Sequence, residues 1–190
     1  MAGTLSVQTI QGLATAPDPT TVSIASGHIL HAPGHVIQVV QTIDDSIDSY
    51  SGAANSFLNY TGLDTTITPV ASDSKFLIQF DIKLGAYQYS RRVVLDIDGT
   101  YHFVNANGGA TFAGSTMSGY ISATGSLSDA SYFSHHGRYL YAHSGSASFS
   151  VGFDIYKQDA NVIYVNRAYS YADAARGYAA SELTVMEIAQ

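Results

Sequence analysis

The chain contains no cysteine, which excludes disulfides and thiolate metal sites and leaves burial as its source of stability. It also lacks tryptophan, the ring with the largest face for stacking on sugars. Charge is scarce: Asp, Glu, Lys and Arg make up 12% of the 190 residues, about half the usual share, so much of the surface is neutral. No Lys or Arg precedes Lys75, whereas Asp18, Asp44, Asp45, Asp48, Asp64 and Asp73 lie in that stretch, and the formal net charge is −7. Binding a phosphate backbone needs the opposite sign, so no nucleic-acid partner is expected. No run approaches the ~18 apolar residues of a membrane span. The opening MAGTLSVQTIQG has neither a basic n-region nor an apolar h-region. A protein made in a cytoplasm, with no membrane partner, is expected.

What is present is alternation. In KFLIQFDIK, Phe76, Ile78, Phe80, Ile82 and then Leu84 fall on one side of a two-residue period, the repeat of a half-buried β-strand. The pattern returns at Ala147, Phe149, Val151, Phe153 and Ile155, with Ser148, Ser150, Asp154 and Tyr156 on the opposite face. Two such faces close a sandwich core. A chain of this length is one domain, burying roughly 70% of its unfolded-chain surface. The expected fold is all-β, a jelly-roll-type antiparallel β-sandwich with an extended N-terminal arm.

The arm is residues 1–42, Thr- and Ser-rich and punctuated by Pro17, Pro19, Pro33 and Gly34, which break ladders or turn the chain. The sandwich is residues 43–190. Asp98-Gly99 between VVLDI and TYHFV predicts a type I′ hairpin, because the pair supplies positive φ angles. Residues 158–161 (QDAN) predict a second hairpin. No segment shows a sustained helical period; Gly177 interrupts the nearest, YADAARGYAAS.

Candidate chemistry is sparse. His28, His31 and His35 have the spacing of metal ligands on a helix, but Pro33-Gly34 opposes that helix, so hydrogen-bonding roles at an interface are the preferred reading and no metal is expected. Asp44, Asp45 and Asp48 resemble half of a calcium loop without its glycine and distal Glu, and read as a solvated acidic turn. GSTMSG at 114–119 does not fit a nucleophile elbow. No enzyme activity and no cofactor are expected. The aromatic and basic residues are more informative: Tyr132, His135, His136, Arg138, Tyr171 and Arg176, read as loop-borne, form the candidate binding set, since loops on a rigid sandwich commonly carry recognition. Tyrosine supplies ring area and arginine pairs with carboxylates. Half-buried sheet packing is the competing reading for these aromatic residues as a group, Tyr132, Phe133, Tyr139, Tyr141, Tyr164, Tyr169, Tyr171 and Tyr178.

APGHVIQVVQT, LDTTITPVASDSKFLIQFDIK, and NVIYVNRAY followed by SELTVMEIA together resemble a module of tail-fibre-like and other virion proteins in marine and cyanobacterial tailed bacteriophages. The likeness spans most of the chain and includes no catalytic motif. It implies a β-sandwich in a virion protein, made in the host cytoplasm and meeting other tail or capsid proteins, while low charge, neutral strand faces and an arm rich in Val, Ile and Thr point to the chain itself as a partner, as a homotrimer. Its role would be attachment to a host-surface glycan. The alternatives are a capsid decoration protein clamping the shell, and a free glycan-binding lectin. Glu187, a carboxylate within the otherwise apolar LTVMEIA of the closing strand, is expected to face solvent or a neighbouring subunit.

Overall fold

The computed structural model describes residues 32–86, 91–102, 132–157, 160–167 and 179–190, and these contain ten strands and no helix. The strands are β1 (Val36–Asp44), β2 (Asp48–Tyr50), β3 (Ser56–Ile67), β4 (Lys75–Ala86), β5 (Arg91–Ile97), β6 (Thr100–His102), β7 (Tyr132–Ala142), β8 (Phe149–Lys157), β9 (Ile163–Val165) and β10 (Ser181–Ile188). All pairings are antiparallel. Sheet A holds β1, β2, β4, β7, β9 and β10, and sheet B has the order β3-β8-β5-β6. The fold is the all-β sandwich that the alternation predicts.

Sheet A is simpler than its strand count suggests. Strand β4 pairs β7 on one edge, and on the other meets β10 through residues 75–81 and β9 through residues 84–86. β9 and β10 therefore form a single strand interrupted by residues 166–180, and β1 and β2, which pair them in turn, form another interrupted at 45–47. Counting each interrupted strand once, sheet A runs β1/β2–β9/β10–β4–β7 beside β3–β8–β5–β6, the connectivity of a jelly roll.

Both interruptions meet at Asn166. Its backbone is left-handed (φ 60°), a conformation Asn tolerates better than most residues, and its side chain is fully buried. The Nδ2 group donates to the carbonyls of Asp44 (2.8 Å) and Ser46 (2.9 Å), while Oδ1 accepts from Ser181 Oγ (2.6 Å). Its backbone N–H donates to Lys83 and its carbonyl accepts from Ala179. One side chain thus supplies the partners that two broken ladders lack.

The core lies where expected. Phe76, Ile78, Phe80, Ile82 and Leu84 of β4 face Phe149, Val151, Phe153 and Ile155 of β8, and all are buried. Phe80 meets Phe153, and Phe76 meets Phe149, each with ring centroids 4.8 Å apart in tilted or edge geometry. The Asp98-Gly99 turn joins β5 to β6 with φ of 51° and 76°, as a type I′ hairpin requires.

Other expectations change. The boundary at 42/43 falls inside β1, which pairs β10 along its length, so the last part of the expected arm is a sheet strand. Strands β8 and β9 belong to different sheets and do not pair with each other, so they are not the two arms of the expected second hairpin, part of whose connection (158–159) lies outside the described residues. Asp44 is buried, accepting from Tyr60 Oη (2.5 Å) and the Ser46 backbone (2.9 Å), whereas Asp45 and Asp48 are exposed. Glu187 is buried too. Phe76, its partner in register, points into the core, and the Glu187 carboxylate accepts the backbone N–H groups of Val70 and Ala71 at 2.9 Å. The Gln38 amide, oriented to satisfy its neighbours, donates to the same carboxylate at 2.9 Å. This carboxylate pins the turn after β3 in place of facing solvent.

Candidate functional site

The sequence-derived candidates are placed by β7. Tyr132 opens that strand and His135, His136 and Arg138 lie within it, paired with β4, so they are strand residues and not loop residues. Tyr171, Arg176, His28 and His31 lie outside the described residues, and His35 is exposed in the turn before β1. Register separates the rest. Gln79 opposite Arg138 and Asp81 opposite His136 point outward, whereas Ile82 opposite His135 points into the core. His136 and Arg138 line an open cleft of about 400 Å³ with Gln79, Glu182 and Thr184. Tyr139 and Tyr141 pack against the core, which bears out the sheet-packing reading for both. Arg167 lies 3.9 Å above the Tyr164 ring.

His135 is 2% exposed, which removes it from any contact set, and its Nδ1 has no partner. Burial pulls its pKa down from 6.5 to about 4, against the opposing pull of Asp81. Between those values the unfolded chain binds a proton that the folded chain refuses, so stability falls as pH drops from 6.5 towards 4, by about 3 kcal/mol in all. Asp64 and Asp96, whose pKa values are raised, act with the opposite sign as they protonate. Urea unfolding at pH 7 and pH 4.5 should show this loss in the parent, and His135→Leu should remove most of it.

The more developed site is on the outer face of sheet B, and sequence reading did not find it. Ser150, Gly152 and Asp154 of β8, Asp96 of β5, and Asn59, Asp64 and Thr66 of β3 converge on a cleft of about 300 Å³. Asp64 Oδ1 sits directly over Gly152, where a Cβ would come within 2.6 Å of it, so the carboxylate can lie against the strand only because that residue is glycine. Beside the cleft lies Tyr101 of β6, whose ring reaches Phe57 of β3 (centroids 5.1 Å, stacked) while its hydroxyl donates to Asp154 Oδ2 at 2.5 Å. Tyr101 thus lies across the sheet and is 37% exposed. Tyr156 packs against Phe57 (5.2 Å), and Arg92 sits 5.8 Å above Tyr156.

The electrostatics follow from crowding. Burial first, then the neighbouring Asp154, raises the pKa values of both Asp64 and Asp96. Burial and the bond to Asp154 push the Tyr101 hydroxyl up to about 12, so it remains a proton donor at neutral pH. The cleft therefore offers mainly acceptors, beside one aromatic face. That suits a ligand rich in hydroxyl or amine donors with an apolar ring face, and repels anions. Among the described residues no group of three or more His, Asp or Glu is placed to hold a metal ion. No described helix is long and apolar enough to cross a membrane.

Neither a protein-family model nor a curated protein matches the chain. Among solved structures, one match is a chain from the structure of infectious bursal disease virus Gx strain, with a TM-score of 0.39 and 9% identity. That alignment covers 90% of this chain, which spans 42% of the viral one.

Proposed function

We propose that this chain is a virion structural protein of a tailed bacteriophage, a homo-oligomer with a trimer as the expected state, that attaches the particle to a host-surface glycan. The sugar is held without turnover in the cleft on sheet B. The observation that supports this reading most is the exposed Tyr101 beside converging Asp, Asn, Ser and Thr groups on a rigid sheet. A sugar ring has an apolar face for the tyrosine and hydroxyl donors for the carboxylates. The sequence resemblance to phage virion modules supports the setting. Jelly rolls serve in viral capsids and in lectins alike, which fits by fold-level analogy.

A second reading, capsid decoration, is favoured by a different surface: Val39 and Leu140, both more than half exposed on the outer face of sheet A, suit contact with another protein better than with a sugar. Purified protein should bind intact host cells, and this binding should be competed by soluble surface polysaccharide. Binding only to emptied, undecorated capsids would replace attachment with decoration.

A further inference from the structure

Three carboxylates of sheet B stand around one glycine. Gly152 of β8 pairs with Asp96 of β5, and Asp154 follows two residues along the same face. On the other side the register of β3 shifts between Tyr60 and Thr65, and Asp64 Oδ1 lies over Gly152. The lining of the cleft contains no Lys, Arg or His, and Arg92 on the same face lies over the Tyr156 ring (5.8 Å). Donors are few as well. The Tyr101 hydroxyl is committed to Asp154 Oδ2, and Ser150 Oγ to Asp98 Oδ1 (3.0 Å). Asp96 Oδ1 is buried, and no donor among the described residues meets it. Buried polar atoms are almost always paired, so this oxygen marks where a donor from outside the chain belongs.

We infer, resting on the reading of this cleft as the glycan site, that its ligand is a sugar carrying a free amine, held as the ammonium among Asp64, Asp96 and Asp154 with its ring against Tyr101. Hydroxyl donors would satisfy carboxylate lone pairs but leave the negative charges crowded together. That crowding, after burial, is what raises the pKa values of Asp64 and Asp96 beside Asp154. An ammonium brings three donors, no acceptor and the opposite charge in one group. Acetylating the amine removes its charge and turns a carbonyl acceptor towards a wall of acceptors. A uronic acid or a phosphorylated sugar adds negative charge where no cation lines the wall.

The test is calorimetric titration of the full chain with a trisaccharide of glucosamine, with its fully N-acetylated form and with trigalacturonate. The free-amine trimer should bind at least about tenfold tighter than the acetylated one, and trigalacturonate should not bind. Asp96→Asn and Asp64→Asn, each matched to the parent in thermal stability, should reduce that preference at least about threefold. A chain of net charge −7 that attracts cations without a site would keep the preference in both variants, which would overturn the inference. Equal or tighter binding of the acetylated trimer, or of trigalacturonate, would also overturn it while leaving the glycan reading in place. If no trimer binds but host-surface polysaccharide does, the amine inference alone falls; if the polysaccharide also fails to bind, both fall.

Discussion

Replacing Phe153 by Ala should destabilise the protein by about 3–5 kcal/mol, the upper range for truncating a buried core side chain. Phe153 is 1% exposed and touches Phe80 across the two sheets, while its register neighbours Tyr60 on β3 and Leu95 on β5 are fully buried. The cavity would sit at the centre of the sandwich, where rigid strands on both sides limit collapse. Ser150→Ala, on the exposed face of the same strand, should cost far less, through its hydroxyl contact with Asp98. Urea denaturation of both variants checks the pair. Equal losses would mean that β8 is buried on both faces.

The second large effect is expected away from the apolar core. Asn166→Ala removes the donors for two backbone carbonyls and the acceptor for Ser181, in a residue with no exposed surface. Each buried polar group left without a partner costs about 1–3 kcal/mol, so a total loss on the order of 3–5 kcal/mol is expected. Alanine also resists the left-handed backbone at this position. Asn166→Gly accepts that backbone while losing the same hydrogen bonds, so it should be less damaging than Ala by about 1 kcal/mol. Thermal unfolding of the two variants separates backbone strain from lost hydrogen bonds. If Asn166→Ala unfolds like the parent, the junction of the interrupted strands is held by something else.

These two residues also show how much the sequence discloses. Phe153 is legible because alternation reports which side of a strand faces the core, and that information is local. The same holds for the Asp98-Gly99 turn, where two residues set the backbone. Asn166 is not legible, because its role depends on β9 and β10 being one strand interrupted by residues 166–180, a relation created by pairing with β4. Alternation also misleads where polar and apolar residues exchange faces. In β7, His135 points inward and Leu140 outward, so a histidine read as a surface contact is core while a leucine of the same strand is exposed. Glu187 reverses in the same way because distant backbone N–H groups at Val70 and Ala71 satisfy its carboxylate. The sheet B cleft draws Asp64, Asp96 and Asp154 from three strands far apart in sequence. Only the register of β3, β8 and β5 brings them together, so Asp96 by itself reads as part of a turn.

The most direct measurement of the attachment account is binding of purified protein to host-surface polysaccharide, for the parent and for Tyr101→Ala, Asp64→Asn and Arg138→Ala, each matched for thermal stability. The sheet B cleft predicts that Tyr101→Ala and Asp64→Asn weaken binding at least about tenfold, or about 1.4 kcal/mol. Arg138→Ala, on the opposite sheet, should bind as the parent does. Loss of binding in Arg138→Ala with the two cleft variants unchanged would contradict the account and move recognition to the face of sheet A.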